Sequence, residues 1–213
     1  TLNTDIYIAT GNIYVTIPEG IEVTVNGNLT AEYTNESTNP VSYLSYYPPK
    51  YGYLEIIGRL NVYGDYSSYH ARQLIMENEN SYLFVSGDMN TLLSDTTKSY
   101  SSSQGDYSLL KRVSNGTIEV KGNITTFNLP DSSNNTLILS GDKQQSVSKK
   151  YGNFNIKNLM IMNSSKALIL NTDIYIDGTF YCPYIKIDSN GKNVHIRSNA
   201  ELLNDQQYCT LKF

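Results

Sequence analysis

Three groups of side chains in this 213-residue chain have the types and spacing to do chemistry. The densest is "YLSYYPPKYGY" (43–53), where Tyr43, Tyr46, Tyr47, Tyr51 and Tyr53 surround Pro48 and Pro49. Prolines stiffen a loop and cannot donate to a strand ladder. Tyrosine offers a flat apolar face with a polar tip, which suits contact with sugar or protein. Two readings stand side by side: a loop that binds a glycan or a protein partner, and a loop whose rings fold back over the domain wall. The second group is "GDYSSYH" (64–70) with Arg72, which places Asp65, Tyr66, Tyr69, His70 and a guanidinium within nine positions. An acid, an imidazole and a guanidinium would serve polysaccharide cleavage, where carboxylates work with a basic proton acceptor. The pattern is diffuse, however, and His70 reads more simply as a surface residue. His195, between Val194 and Ile196, should point away from the core for the same reason. The third group is the pair Cys182 and Cys209, 27 positions apart (209 − 182). If that distance is one turn of a stacked fold, neighbouring Cα atoms fall near 4.8 Å, inside the disulfide range of about 4.4–6.8 Å. A bond between them and two buried thiols in a ladder both remain open.

Other chemistries find no support in the residues. Neither a nucleophile elbow, a phosphate loop, a His-Glu-x-x-His zinc motif nor a dinucleotide fingerprint occurs. Two cysteines without nearby histidine pairs make no zinc site. Asp65, Asp88, Asp106 and Asp142 sit where turns are expected, but the glycine-rich calcium nonapeptide is absent, so no metal and no cofactor are expected. The net charge of −4 and pI near 5.2 argue against nucleic acid, because phosphate binding needs clustered Lys and Arg. No apolar run approaches the ~20 residues of a spanning helix, so membrane insertion is not expected.

The elements that must position these groups read as strands. Hydrophobic residues make up 39% and charged residues 17%, with 19 Tyr and no Trp. Helical periodicity is nearly absent and alternation dominates: Val23/Val25, Leu83/Val85, Ile118/Val120, Leu137/Leu139, Ile174/Ile176 and Val194/Ile196 each flank one residue. The one candidate helix, around 69–77, has an apolar block Leu74-Ile75-Met76 that suits a strand equally well, and a strand is the reading taken. Several strands share an ending: "VTVNGNL" (23–29), "LNVYGDY" (60–66), "LFVSGDM" (83–89), "IEVKGNI" (118–124), "LILSGDK" (137–143) and "IYIDGTF" (174–180). The shared Gly is expected to supply a positive-φ turn, with the following Asn or Asp bonding the local backbone. These glycines lie from 19 to 37 residues apart. The short intervals fit one coil of a solenoid; the long ones fit a coil with an inserted loop, or two coils with one degenerate turn.

The hexapeptide "NTDIYI" occurs at 3–8 and again at 171–176, and the likeness runs on. Each copy continues through a Gly turn at Gly20 or Gly191, an alternating pair at Val23/Val25 or Val194/Ile196, and an apolar residue at Leu29 or Leu202. A shared rung pattern predicts a repeat architecture, in which one unit buries its apolar face only against its neighbours. The expected fold is all-β: a right-handed parallel β-helix, or β-solenoid, forming a single domain over 1–213. The alternative is an antiparallel β-sandwich, which the turn spacing also suits. Thr1 opens inside a strand-like pattern, so a fragment of a larger protein is expected.

From "YGYLEIIGRLNVYGDY" onward the chain resembles repeat modules of large secreted or cell-surface proteins of Firmicutes such as clostridia. The likeness is carried by "LIMENENSYLFVSGDMNT" (74–91), "SNGTIEVKGNIT" (114–125), "LILSGDKQQSV" (137–147) and "NFNIKNLMIMNSS" (153–165). It covers about residues 52–180, and Met89 and Asn123 depart from the aromatic and Asp usual there. The resemblance implies an extracellular, cell-surface or cell-wall-associated bacterial module and carries over no catalytic residue. The expected function is therefore a non-enzymatic adhesin- or stalk-like β-helix, binding glycan or a host protein through its Tyr-rich loops. The alternative is a carbohydrate-active β-helix, a polysaccharide lyase or glycoside hydrolase. That alternative requires a cleft lined by two acids or an acid–base pair on one sheet face.

Overall fold

Alternating apolar residues decide the architecture, because each strand then has one side that only another strand layer can bury. The computed structural model describes residues 1–9, 13–34, 50–68, 73–91, 113–126, 134–149, 154–165, 167–183, 186–196, 201–203 and 210–212. They form a parallel β-solenoid whose chain winds through three faces in turn. With strands numbered in chain order, the first face is a nine-stranded sheet. It runs β1 (Ile6–Ile8), β4 (Leu29–Ala31), β8 (Tyr66–Ser68), β11 (Met89–Asn90), β13 (Ile124–Thr126), β15 (Gln145–Lys149), β18 (Ala167–Leu170), β21 (Lys186–Asp188) and β24 (Thr210–Lys212). The second is an eight-stranded sheet: β3 (Glu22–Val25), β7 (Arg59–Val62), β10 (Tyr82–Val85), β12 (Thr117–Val120), β14 (Thr136–Leu139), β17 (Asn158–Ile161), β20 (Thr179–Tyr181) and β23 (Glu201–Leu203). The third face holds β2 (Ile13–Ile17), β6 (Lys50–Ile56) and β9 (Leu74–Ile75) towards one end. Towards the other it holds β16 (Phe154–Ile156), β19 (Ile174–Ile176) and β22 (Val194–Ile196).

Pairing is parallel throughout the described residues except where β5 (Tyr33–Thr34) meets β6. The sandwich alternative is thereby set aside. Inward residues stack in register. Val25, Val62, Val85, Val120, Leu139 and Ile161 form one buried ladder on the second face. Leu29, Tyr66, Met89, Ile124, Val147 and Leu170 form another on the first.

The uneven glycine spacing has two causes, and both occur. Between Gly27 and Gly64 there is one coil, lengthened by the stretch from β5 to β6; between Gly87 and Gly122 there is one coil, lengthened after β11. Between Gly141 and Gly178 lie one full coil and two further faces, because the turn after β17 has Asn163 in place of a glycine and Gly178 stands at a later corner, between the third face and the second. The shared glycines do not have the left-handed backbone expected of them. Among the described residues positive φ belongs to Gly20, Gly116 and Gly191, and to Asn190. Gly64, Gly87 and Gly122 are instead required by close approach. The Gly87 N–H donates to the Gly64 carbonyl at 2.9 Å and the Gly122 N–H to that of Gly87 at 3.0 Å, so the corners pile backbone on backbone.

The Asx residues after Gly27, Gly64, Gly87 and Gly122 bond across coils and not locally. Asp5 Oδ1 accepts from Asn28 N–H at 2.7 Å, Asn28 Oδ1 from Asp65 at 2.8 Å and Asp65 Oδ1 from Asp88 at 2.8 Å. Asp88 Oδ1 then accepts from Asn123 at 2.7 Å, and Asn123 Oδ1 from Ser146 at 2.9 Å. Each side chain thus satisfies a corner N–H that no strand partner reaches.

The duplicated hexapeptide repeats a corner and not a place in the coil. Its first copy runs into the first face at β1 and its second into the third face at β19, so the aligned rungs are offset by one face. What repeats is local chemistry. Asn3 and Asn171 each accept the side-chain amide of an asparagine one coil on, Asn26 at 2.7 Å and Asn190 at 3.1 Å. Asp5 and Asp173 each accept a backbone N–H one coil on, from Asn28 at 2.7 Å and Asn193 at 2.8 Å. In both copies the last isoleucine, Ile8 or Ile176, is buried in the core.

Cys182, just after β20, is buried and disulfide-bonded. Cys209, the chain's other cysteine, lies outside the described residues. Among the described residues no helix is long and apolar enough to cross a membrane.

Candidate binding surface

Since inward positions are filled by ladders, chemistry falls to the outward residues. On the second face the outward row from β3 to β10 reads Glu22, Arg59, Tyr82, in register. The Arg59 guanidinium lies 4.0 Å over the Tyr82 ring centroid, a cation–π contact. Arg59 Nε donates to Asn61 Oδ1 at 3.0 Å, and Asn61 Nδ2 donates to Glu22 Oε1 at 2.5 Å. The Tyr82 hydroxyl donates to Glu119 Oε2, and the Ser140 hydroxyl donates to Glu119 Oε1 at 2.6 Å. The Arg59–Glu22 ion pair at 3.7 Å joins two exposed side chains and adds little stability by itself. A parallel outward row continues through Phe84, Glu119, Ile138, Met160 and Tyr181, all half-buried. Tyr63 packs edge-on to Phe84 at 5.6 Å, and Lys121 lies 5.6 Å from the same ring. The face is a strip of rings and aliphatic side chains with fixed polar groups along one margin.

The strip offers hydrogen bonds and flat apolar surface more readily than acid–base catalysis. Glu22 and Glu119 lie three strand steps apart, about 14 Å at the usual strand spacing. Glycoside hydrolase carboxylates work at about 5–9.5 Å. Both Glu119 oxygens are already committed to hydroxyl donors. Among the described residues no three His, Cys, Asp or Glu side chains gather as a metal site.

Burial, then Glu119, pushes the Tyr82 hydroxyl up to about 12. Burial pushes the enclosed Tyr66 hydroxyl higher still, only partly offset by Ser68. Both keep their protons at pH values where tyrosines of an unfolded chain lose them. The folded state then binds more protons, and stability falls as pH rises through about 10 and beyond. Urea midpoints should therefore decline from about pH 9.5 upward, and Tyr66→Phe should flatten that decline. An equally steep decline in the variant would assign it to other groups.

The third face carries a second aromatic feature. Tyr14 on β2 and Tyr53 on β6 are register partners, and their rings stack with centroids 4.5 Å apart at 13°. Tyr14 is 55% exposed, and Tyr7 on the adjoining face 62%. Tyr53 is the residue of the Tyr-rich stretch whose side chain the structure places. Tyr51 lies in β6, its backbone paired with Tyr33, while Tyr43, Tyr46 and Tyr47 lie outside the described residues. So do Tyr69, His70, Arg72 and Asp106. Asp65 and Asp88 belong to the corner ladder, so they are structural groups. His195 is exposed, although its neighbour Ile196 is exposed as well at 43%, and it stacks on Tyr175 at 4.1 Å and 10°.

The Arg59–Tyr82–Glu119 network escapes sequence reading because its members come from three coils 23 and 35 positions apart. The signal exists only after "RLNV", "YLFV" and "TIEV" are laid in register, when their outward letters align. No family model, curated protein or solved structure matches the chain.

Proposed function

We propose that this chain is a non-enzymatic extracellular module, a stiff β-solenoid that contacts glycan or a surface protein through outward tyrosines. The observation that carries the reading is the Tyr14–Tyr53 stack, an aromatic pair on the outer wall to which the Tyr-rich stretch 43–53 contributes Tyr53. Two stacked, nearly parallel rings held by strand register cost little entropy to present, and the more exposed Tyr14 suits an apolar sugar face or a protein side chain. A disulfide at Cys182 agrees with an exported, cell-surface location, as does the resemblance to Firmicutes surface modules. The alternative of a polysaccharide lyase or glycoside hydrolase would need a free acid pair in a cleft, whereas Asp65 and Asp88, neighbours on adjacent coils, are tied into the corner ladder.

A glycan array probed with the whole chain, beside Tyr14→Ala and Tyr46/Tyr47→Ala variants, tests the proposal. Specific binding should weaken about tenfold or more when a ring at the centre of the contact is truncated. Chain shortening of a polysaccharide by the unmodified protein would favour the enzymatic alternative. Retention of full binding by all variants would remove the tyrosines from the site.

A further inference from the structure

The first coil differs from the coil stacked upon it. Val15 is 40% exposed, while Leu54, its register partner one coil on, is 1% exposed. Leu2 is 46% exposed, while Val25, to which it bridges, is 1% exposed. Ile13 is likewise open at 47%. With Ile6, Val23 and the floor residues Leu54 and Leu60, they line an open mouth of about 370 Å³ at the end of the stack. This is the cross-section of the hydrophobic core itself, continuous with the coil-on-coil interface.

Three strand edges surround the mouth. β1 ends the nine-stranded sheet, β3 ends the eight-stranded sheet, and β2 ends its sheet on the third face. Each leaves a row of backbone groups with a strand neighbour on one side only, save at the end of β3, where Leu2 donates to the Thr24 carbonyl and accepts from the Asn26 N–H. The corner ladder also starts here. Asn28, Asp65, Asp88, Asn123 and Ser146 each donate a backbone N–H to an Asx side chain of the coil before. Asp5 occupies the same position, and its N–H finds no acceptor among the described residues. Solenoids need a polar cap on a terminal repeat to stay soluble, and this end has an apolar one.

We propose that the mouth is a coil-docking surface whose occupant is one further turn of β-solenoid, laid parallel on β1, β2 and β3. A small apolar ligand would cover the floor and leave three strand edges bare. A helix would present no edge at all. A three-faced turn meets all three edges in the register that the rest of the stack uses, drops apolar side chains onto Leu2, Ile13 and Val15, and can offer Asp5 an Asx oxygen. The proposal is independent of what the outer wall binds.

The test adds such a turn. Leu2 falls at the register position of Ile161, through the ladder Val25, Val62, Val85, Val120 and Leu139. A duplicate of residues 136–159 fused ahead of Thr1 therefore supplies one strand per face before the chain re-enters at Leu2. The extended protein should melt about 5 °C higher than the unmodified chain and bind several-fold less 8-anilinonaphthalene sulfonate. The same extension carrying Leu137→Ser, Leu139→Ser and Val147→Ser in the duplicate should do neither. Equal behaviour of the two extensions, or no change from the apolar one, overturns the proposal. So does sedimentation of the unmodified chain as an end-to-end oligomer that Val15→Lys dissolves, since that result gives the mouth to a second copy.

Discussion

Gln145→Leu should lower the unfolding free energy by about 3–5 kcal/mol, although it replaces a buried side chain by an apolar one of similar size. Gln145 begins β15 inside the solenoid and is 1% exposed. Its Oε1 accepts from the Gly141 N–H at 3.0 Å and from Asn163 Nδ2 at 2.7 Å. Its Nε2 donates to the carbonyls of Val120 at 3.0 Å and Gly122 at 2.8 Å. One amide therefore serves a corner where the chain turns from the second face to the first and the strand ladders lapse. Leucine would add some hydrophobic burial but orphan up to four polar groups, each costing about 1–3 kcal/mol before relaxation. Gln73 plays the same part at a corner from the first face to the third, its Nε2 donating to the carbonyls of Glu32 at 2.7 Å and Gly52 at 2.9 Å. Urea unfolding of the variant measures the loss. A change below about 1 kcal/mol would mean that the corner relaxes or admits water, and that the amide is not what holds it.

Gly122→Ala should cost about 3 kcal/mol, at the upper end for a single added methyl group. A Cβ there would sit 2.3 Å from the Gly87 carbonyl oxygen and 2.4 Å from Asp88 Oδ1. Neither atom can retreat cheaply. The carbonyl accepts the Gly122 N–H, and Asp88 Oδ1 accepts the Asn123 N–H. The coils on either side hold the spacing near 4.8 Å. Gly20→Ala is the informative comparison. A Cβ at Gly20 meets nothing within 4 Å, but its φ of 72° is left-handed, a strain of about 1–2 kcal/mol for an L-residue. The predicted order is therefore Gly122→Ala worse than Gly20→Ala in thermal or urea denaturation. The reverse order would return the explanation to backbone dihedral and away from coil spacing.

These two cases show where sequence reading stops. The glycine after each strand is visible in "VYGD", "VSGD" and "VKGN", and so is its recurrence. Its reason is not, because a glycine needed for a left-handed turn and one needed for close approach leave the same letter. Gln145 looks like any polar residue in "GDKQQSV" (141–147); only the fold brings Val120, Gly122 and Asn163 around it. The hexapeptide at 3–8 and 171–176 announces a repeat. The faces its two copies occupy depend on how many residues separate successive corners, a number no periodicity records.

Alternation along single strands, turn residues at corners and the recurrence of both are properties of neighbouring residues, and from them the parallel β-solenoid follows. The side of each strand that faces the core follows as well, as for Leu83 and Val85 or Leu137 and Leu139. Coil register belongs to the tertiary structure, because strand pairing between coils joins residues from 19 to 39 positions apart. Register brings Tyr14 onto Tyr53 and Arg59 over Tyr82, and leaves Leu2, Ile13 and Val15 open at the end of the stack. A local pattern specifies which way a side chain points; what it meets there depends on the length of chain between one coil and the next.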